Sequence, residues 1–154
     1  MEQHILVGDI GGTNVRLALS CRETGELSAI KTYLCADYSS LTAVVQAYGE
    51  SVGGVPKDAC LAIAGPVQSD HVSMTNLAWE ISSENCRKIL GMDTLQIIND
   101  FTALSLSIPV LSPDDKIQIG NCDKAEPQTH KPIVVYGPGT GLGVAHLGKV
   151  RTSP

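Results

Sequence analysis

The chain has 154 residues, of which 43% are hydrophobic and 18% charged, and its formal net charge is −5. The apolar content is typical of a folded protein and excludes a disordered chain. Lysine and arginine form no cluster, which excludes a polyanion-binding surface of the nucleic-acid or anionic-membrane kind. No apolar run approaches the roughly 18 residues that a membrane-spanning helix needs.

The cysteines predict a reducing compartment. Their number is odd and no pair has C-x-x-C spacing, so we expect free thiols and neither a disulfide framework nor a zinc site. The beginning of the chain has no basic segment followed by an apolar stretch, and we therefore expect no signal peptide and a cytoplasmic protein. The five cysteines are Cys21, Cys35, Cys60, Cys86 and Cys122.

The first third of the chain predicts a three-stranded antiparallel meander followed by a helix. Apolar runs at 4–9, 15–20 and 25–35 are separated by glycine-containing turns, which is typical of strands joined by hairpins. A helical spacing of apolar residues then begins after Ser39 or Ser40, the expected N-cap, and ends at the glycine pair 53–54.

The middle of the chain predicts alternating strands and helices. The run 59–65 is a candidate central strand and 94–100 a second buried strand. A helix is expected at 82–91, with Ser82 or Ser83 as its cap, and another at 101–108, ending before Pro109. Strands that alternate with helices are typical of the α/β class.

After a polar segment at 112–132, residues 133–150 repeat the opening order of strand, glycine-rich corner and strand. This internal repeat predicts two related domains. We expect a small N-terminal domain at 1–110 and the start of a larger, truncated domain at 111–154.

The stretch "VGDIGGTNVRLAL" places an aspartate beside the first glycine corner, which consists of Gly11, Gly12 and Thr13. Glycines allow positive φ and remove side chains, so that backbone N–H groups converge on an anion. Asp9 has the charge needed to hold Mg²⁺ or its water ligands beside a phosphate. A plain tight hairpin, with Asp9 as a turn residue, is the structural alternative.

The second glycine corner has more glycines than a hairpin needs. A G-x-G-x-x-G motif is excluded because Leu142 stands at its sixth position, and a P-loop is excluded because Val150 replaces the required Ser or Thr. The corner contains Gly137, Gly139, Thr140, Gly141 and Gly143.

Asn99 and Asp100 stand where a buried strand becomes a helix, a usual position for site residues in α/β sheets. Asp100 could be an ordinary N-cap. Its functional interpretation is a base that accepts a hydroxyl proton during phosphoryl transfer, with Asn99 orienting the same substrate.

Together the segments "GDIGGTNVRLAL", "AIAGPV", "MTNLAW", "IINDFTAL" and "VYGPGTGLGVAHL" resemble the bacterial glucokinase family of the hexokinase/actin-like ATPase superfamily. The resemblance covers nearly the whole chain in the same order. It implies a ribonuclease H-like/actin-like ATPase domain with a mixed sheet, followed by the truncated start of a second related domain. It also implies a homodimeric glycolytic enzyme that uses ATP and Mg²⁺ to phosphorylate glucose at its 6-hydroxyl.

The resemblance assigns a role to each matching residue. Asp100 corresponds to the base for the sugar hydroxyl, Asn99 to a sugar ligand, and Asp9 to a carboxylate that holds Mg²⁺, through water. The remaining sugar-pocket candidates are Gly65, Thr75 and Asn76, while Trp79 is expected to pack in the core. The ATP phosphates are assigned to Gly11, Gly12, Thr13, Gly139, Thr140, Gly141 and Gly143.

The resemblance ends before the family's Glu-Gly-Gly-His segment and its adenosine-binding segment. We therefore expect the 154 residues to be an N-terminal part with negligible sugar phosphorylation of its own and with exposed apolar surface near 133–150. Three alternatives stay open: an ATPase switch or another sugar kinase of the superfamily, a kinase-like sugar-sensing regulator, and a structural domain with glycine turns.

Overall fold

The computed structural model describes residues 3–68, 70–72, 74, 77, 79–120, 132–138 and 142–148. By their contacts the residues form two compact units, 1–100 and 101–154. The helices are α1 (Leu41–Val52), α2 (Ser83–Leu90) and α3 (Asp100–Ser107). The strands are β1 (His4–Ile10), β2 (Asn14–Cys21), β3 (Leu27–Leu34), β4 (Asp58–Ile63), β5 (Val67–Gln68), β6 (His71–Val72), β7 (Ile81–Ser82), β8 (Thr94–Asn99), β9 (Ile133–Pro138) and β10 (Leu142–Leu147).

A five-stranded mixed sheet forms the centre of the first unit, in the order β3-β2-β1-β4-β8. Strands β1, β2 and β3 pair antiparallel, which confirms the predicted meander. Strand β4 pairs parallel with both β1 and β8, so the run expected at 59–65 is a central strand as predicted. The α/β class with a mixed sheet is confirmed.

The core lies between this sheet and α1. Alternate residues of β4 are buried, and so are Leu6 and Ile10 on one face of β1, as expected for strands with one face against a helix. Tyr48 of α1 is also fully buried, and its hydroxyl donates a hydrogen bond to the carbonyl of Ala29 at 3.1 Å. The other fully buried members of this core include Leu6, Ile10, Leu17, Leu41, Val44, Val45, Leu61 and Ile63.

Both predicted helix caps are confirmed. The Ser40 hydroxyl accepts a hydrogen bond from the Ala43 N–H at 3.2 Å, and Ser82 caps α2 in the same way through Asn85. Helix α1 ends at Gly53, whose φ is 89°, a conformation that favours glycine.

A small sheet of β5, β6 and β7 was not predicted from the sequence. Asp70, in the turn before β6, accepts hydrogen bonds from the hydroxyls of Ser82 and Ser83, both at 2.5 Å, and from the Glu84 N–H at 2.8 Å. These three donors hold the pKa of Asp70 down at about 2 and attach the turn to the beginning of α2.

The second unit contains an antiparallel hairpin of β9 and β10, which confirms the two predicted strands, while residues 139–141 of the predicted corner lie outside the described residues. Buried and exposed side chains alternate along the hairpin. Val135 is buried, and four side chains are exposed: Val134, Tyr136, Leu142 and Val144.

Within the described part of the chain, no helix is both long enough and apolar enough to cross a bilayer.

Candidate active site

The carboxyl ends of three parallel strands meet at one edge of the main sheet. Ile10 of β1 is in register with Ile63 of β4, and Ile63 is in register with Asn99 of β8. The first glycine corner follows Ile10, Gly65 follows Ile63, and Asp100 follows Asn99. Residues separated widely in the sequence are thus brought to one edge, which is where ligands bind in open α/β sheets.

The first glycine corner joins β1 to β2. The Gly11 N–H closes the turn by donating to the Asn14 carbonyl at 2.9 Å. The N–H groups of Gly12 and Thr13 make no hydrogen bond to the described part of the chain. Gly11 and Gly12 do not have positive φ, so the absence of side chains, and not an unusual backbone conformation, is what glycine supplies here.

Cys35 contacts the backbone of this corner. Its N–H donates to the Thr13 carbonyl at 2.9 Å, and its Sγ lies 3.5 Å from the Gly11 carbonyl oxygen. The side chain is only 2% exposed, and burial raises the pKa of its thiol. Two carbonyls of the corner are therefore bound to Cys35.

Asp9 lies directly opposite Arg16 in the β1–β2 register, and their side chains form an ion pair at 3.2 Å. Both side chains are more than half exposed, at 54% and 62%. A half-exposed carboxylate at the end of the strand that leads into the glycine corner fits Mg²⁺, which usually keeps several waters and binds one or two carboxylates together with substrate phosphates. Among the described residues, no three His, Cys, Asp or Glu side chains are grouped as a metal site.

Asn99 links Gly65 to Asp100. Its side-chain amide donates to the Gly65 carbonyl at 3.0 Å and to Oδ1 of Asp100 at 2.8 Å. Gly65 has a φ of 155°, in the region that favours glycine. Gly65 and Asp100 are both half-buried. The Asp100 carboxylate is therefore oriented at the sheet edge and is still accessible to a substrate.

Five of the remaining predicted site residues lie outside the part of the chain that the structure describes: Thr75, Asn76, Gly139, Thr140 and Gly141. Gly143 is in β10, directly opposite Gly137 of β9.

Trp79 packs in the core as expected, 8% exposed, and its Nε1–H donates to the Tyr38 carbonyl at 3.2 Å. It also lines a cleft of about 930 Å³ beside β6, β7 and α2.

Neither Arg16 nor Cys35 was predicted as a site residue, although the pairing of Arg16 with Asp9 could have been predicted from the sequence. Residues 9 and 16 are equally distant from the middle of the turn, so a hairpin centred between Gly12 and Thr13 places them opposite each other. The position of Cys35 depends on the pairing of β3 with β2, whose register is interrupted between Leu17 and Leu19. No local pattern predicts that interruption.

The glucokinase family model matches residues 6–153. Curated relatives include the glucokinase of Cronobacter sakazakii, 53% identical, and that of Escherichia coli O1:K1, 52% identical. Each alignment covers 96% of this chain and 45% of the relative, so the chain spans about half the length of the curated relatives it matches.

Solved structures show the same fold. A glucokinase from an Antarctic psychrotroph has a TM-score of 0.81 and 34% identity, over 99% of this chain and 48% of that one. A glucokinase from Balamuthia mandrillaris in complex with glucose has a TM-score of 0.65 and 22% identity, over 97% and 46%. These matches confirm the predicted actin-like ATPase fold, and with the family model they show that the chain belongs to the glucokinase family.

Proposed function

We propose that this chain supplies the first phosphate-binding corner and the catalytic base of an enzyme that transfers the γ-phosphoryl group of ATP to the 6-hydroxyl of glucose. The observation that carries the proposal is the shared sheet edge, where the corner after β1, Gly65 after β4 and Asp100 after β8 lie side by side. Relatives support both substrates, since solved structures include a glucokinase with glucose and a Streptomyces griseus glucokinase with glucose and AMPPNP.

At the sugar, Asp100 accepts the proton of the 6-hydroxyl as its oxygen forms a bond to the γ-phosphorus. The bond from that phosphorus to the β–γ bridging oxygen breaks, and ADP leaves with the electron pair. The Asn99 amide fixes Oδ1 of Asp100 at 2.8 Å, so the carboxylate is oriented before the sugar arrives. Gly65, Thr75 and Asn76 complete the proposed sugar contacts.

At the nucleotide, the N–H groups of Gly12 and Thr13 and the Thr13 hydroxyl donate to phosphate oxygens. Asp9 would hold Mg²⁺ through water, and the ion when bound neutralises charge on the phosphates. The second corner, comprising Gly139, Thr140, Gly141 and Gly143, is proposed to bind the phosphates as well.

We also propose that the protein acts in the cytoplasm as a homodimer. The resemblance to bacterial glucokinases supports both statements. The cysteines in the described residues are free thiols, which suits a reducing compartment. The exposed apolar face of β9 and β10 supports association with further polypeptide.

The proposed function is tested by measuring ADP release from the product of the complete gene, with and without glucose. Release should require glucose and should fall by a factor of about 10² to 10⁴ in Asp100→Asn, the range that general-base catalysis contributes. Asp114→Asn makes the same chemical change in an exposed turn and should leave the rate unchanged. Release that ignores glucose would contradict the proposal and favour an ATPase.

A further inference from the structure

The ring of Phe101 lies against two glycines of the β9–β10 hairpin. A Cβ built on Gly143 would be 1.9 Å from Cε2 and Cζ of the ring, and one on Gly137 would be 2.4 Å from Cζ. Neither separation is possible for real carbon atoms, since non-bonded carbons approach to about 3.5 Å. Any side chain at either position would therefore displace the ring.

The two glycines act together because they are cross-strand partners in the hairpin register. Directly opposite residues carry their side chains on the same face of a sheet, so two glycines leave a bare patch of backbone there. Neither has positive φ, and their backbone conformation is open to other residues. The space taken by the ring is thus a sufficient reason for glycine at both positions.

We propose that Phe101 is a positioning residue, which seats the hairpin bearing the second glycine corner against α3 through a slot formed by Gly137 and Gly143. The inference rests on the proposed function, in which the second corner, comprising Gly139, Thr140, Gly141 and Gly143, binds ATP phosphates. Phe101 directly follows Asp100 in α3. One ring then fixes the hairpin to the helix that begins with the catalytic base, and Phe101 itself touches no substrate.

A double-substitution cycle tests the slot. Gly143→Ala should lower the thermal midpoint by about 5 °C, because its Cβ meets the ring. In a Phe101→Ala background the same Gly143→Ala change should cost little, because the ring is gone. Gly148→Ala is the matched control, since a Cβ there meets nothing within 4 Å. Equal losses from Gly143→Ala in both backgrounds would overturn the proposed slot.

Kinetics of the complete gene product test the positioning role. The milder Phe101→Leu variant should raise the KM for ATP about ten-fold while the KM for glucose stays within about two-fold, because the misplaced element is the one proposed to bind phosphate. A lower midpoint with both KM values unchanged would show a purely structural ring and overturn the inference. If the unsubstituted protein phosphorylates no glucose, the proposed function fails, and the stability cycle still decides the slot.

Discussion

Cys35 fills the space behind the first glycine corner and is held there by two carbonyls of that corner. Its burial raises the pKa of the thiol, so the sulfur stays protonated and acts as a small packing group. Cys21, at the end of β2, has the opposite environment. It is partly exposed, and hydrogen bonds from Thr24, the side chain first, lower the pKa of its thiol.

This difference predicts the order in which the described cysteines react. Because the thiolate is the nucleophile, iodoacetamide should modify Cys21 before Cys35, Cys60 or Cys86, whose pKa values are all raised by burial. The pH midpoint of Cys21 labelling, followed by peptide mass spectrometry, should lie below that of an ordinary thiol. Thr24→Ala should raise that midpoint and Thr32→Ala should not. Modification of Cys35 ahead of Cys21 would contradict the structure.

Helix α1 begins at a single well-placed hydroxyl. Ser40 accepts the Ala43 N–H, whereas its neighbour Ser39 is exposed and has no such bond. Ser40→Ala should therefore lower the free energy of unfolding by about 1 kcal/mol, measured by urea denaturation. Ser39→Ala is the matched control and should change it little. Equal effects of the two substitutions would show that the cap does not stabilise α1.

The turn before β6 should show a pH-dependent contribution to stability. The pKa of Asp70 is about 2 in the folded chain, below its ordinary 3.8, because the Ser82 and Ser83 hydroxyls donate to the carboxylate. The stabilisation is thus present above the ordinary pKa and is lost as the pH falls toward 2.

We expect Asp70→Asn to lower the thermal midpoint at pH 6. The difference from the unsubstituted chain should shrink between about pH 4 and pH 2, as the native carboxylate takes up its proton. Asp114→Asn serves as the control for a lost charge. A difference that stays constant down to pH 2 would contradict the assigned hydrogen bonds.

The longer elements could be predicted because their apolar residues repeat with a strand or helix period over six or more positions. Strands β5, β6 and β7 have two residues each, and two residues contain no period. The candidate site was likewise predictable only where a local sequence pattern exists. The first glycine corner, Asn99 and Asp100 were predicted from such patterns. The slot for Phe101 was not, because it joins residues from distant parts of the chain.

At the scale of the whole molecule, the chain covers 45% of the length of its curated relatives. We propose domains at 1–110 and from 111 onward, although contacts alone separate the chain after Asp100. In the second unit the outer face of the hairpin is apolar, with Val134, Tyr136, Leu142 and Val144 each more than half exposed. Such a face is typical of surface that packs against further polypeptide.

This face predicts that the 154-residue chain associates with itself. Light scattering should give a mass that rises with concentration, because a hairpin that pairs with no other strand of the described residues and has an apolar face can pair with another copy. Tyr136→Lys, which places a charge in the centre of the face, should reduce the association. Lys116→Gln is an exposed control outside the hairpin and should not. A monomer at all concentrations would contradict the prediction.

We propose that Asp100 accepts the proton of the glucose 6-hydroxyl as the γ-phosphoryl group of ATP is transferred to that oxygen. The most direct measurement is carbon-13 NMR of the product that the complete gene product forms from labelled glucose and ATP. We predict coupling of phosphorus to C6 and its near absence with Asp100→Asn. Phosphate on another carbon, or ADP and inorganic phosphate without a sugar phosphate, would contradict the proposed reaction.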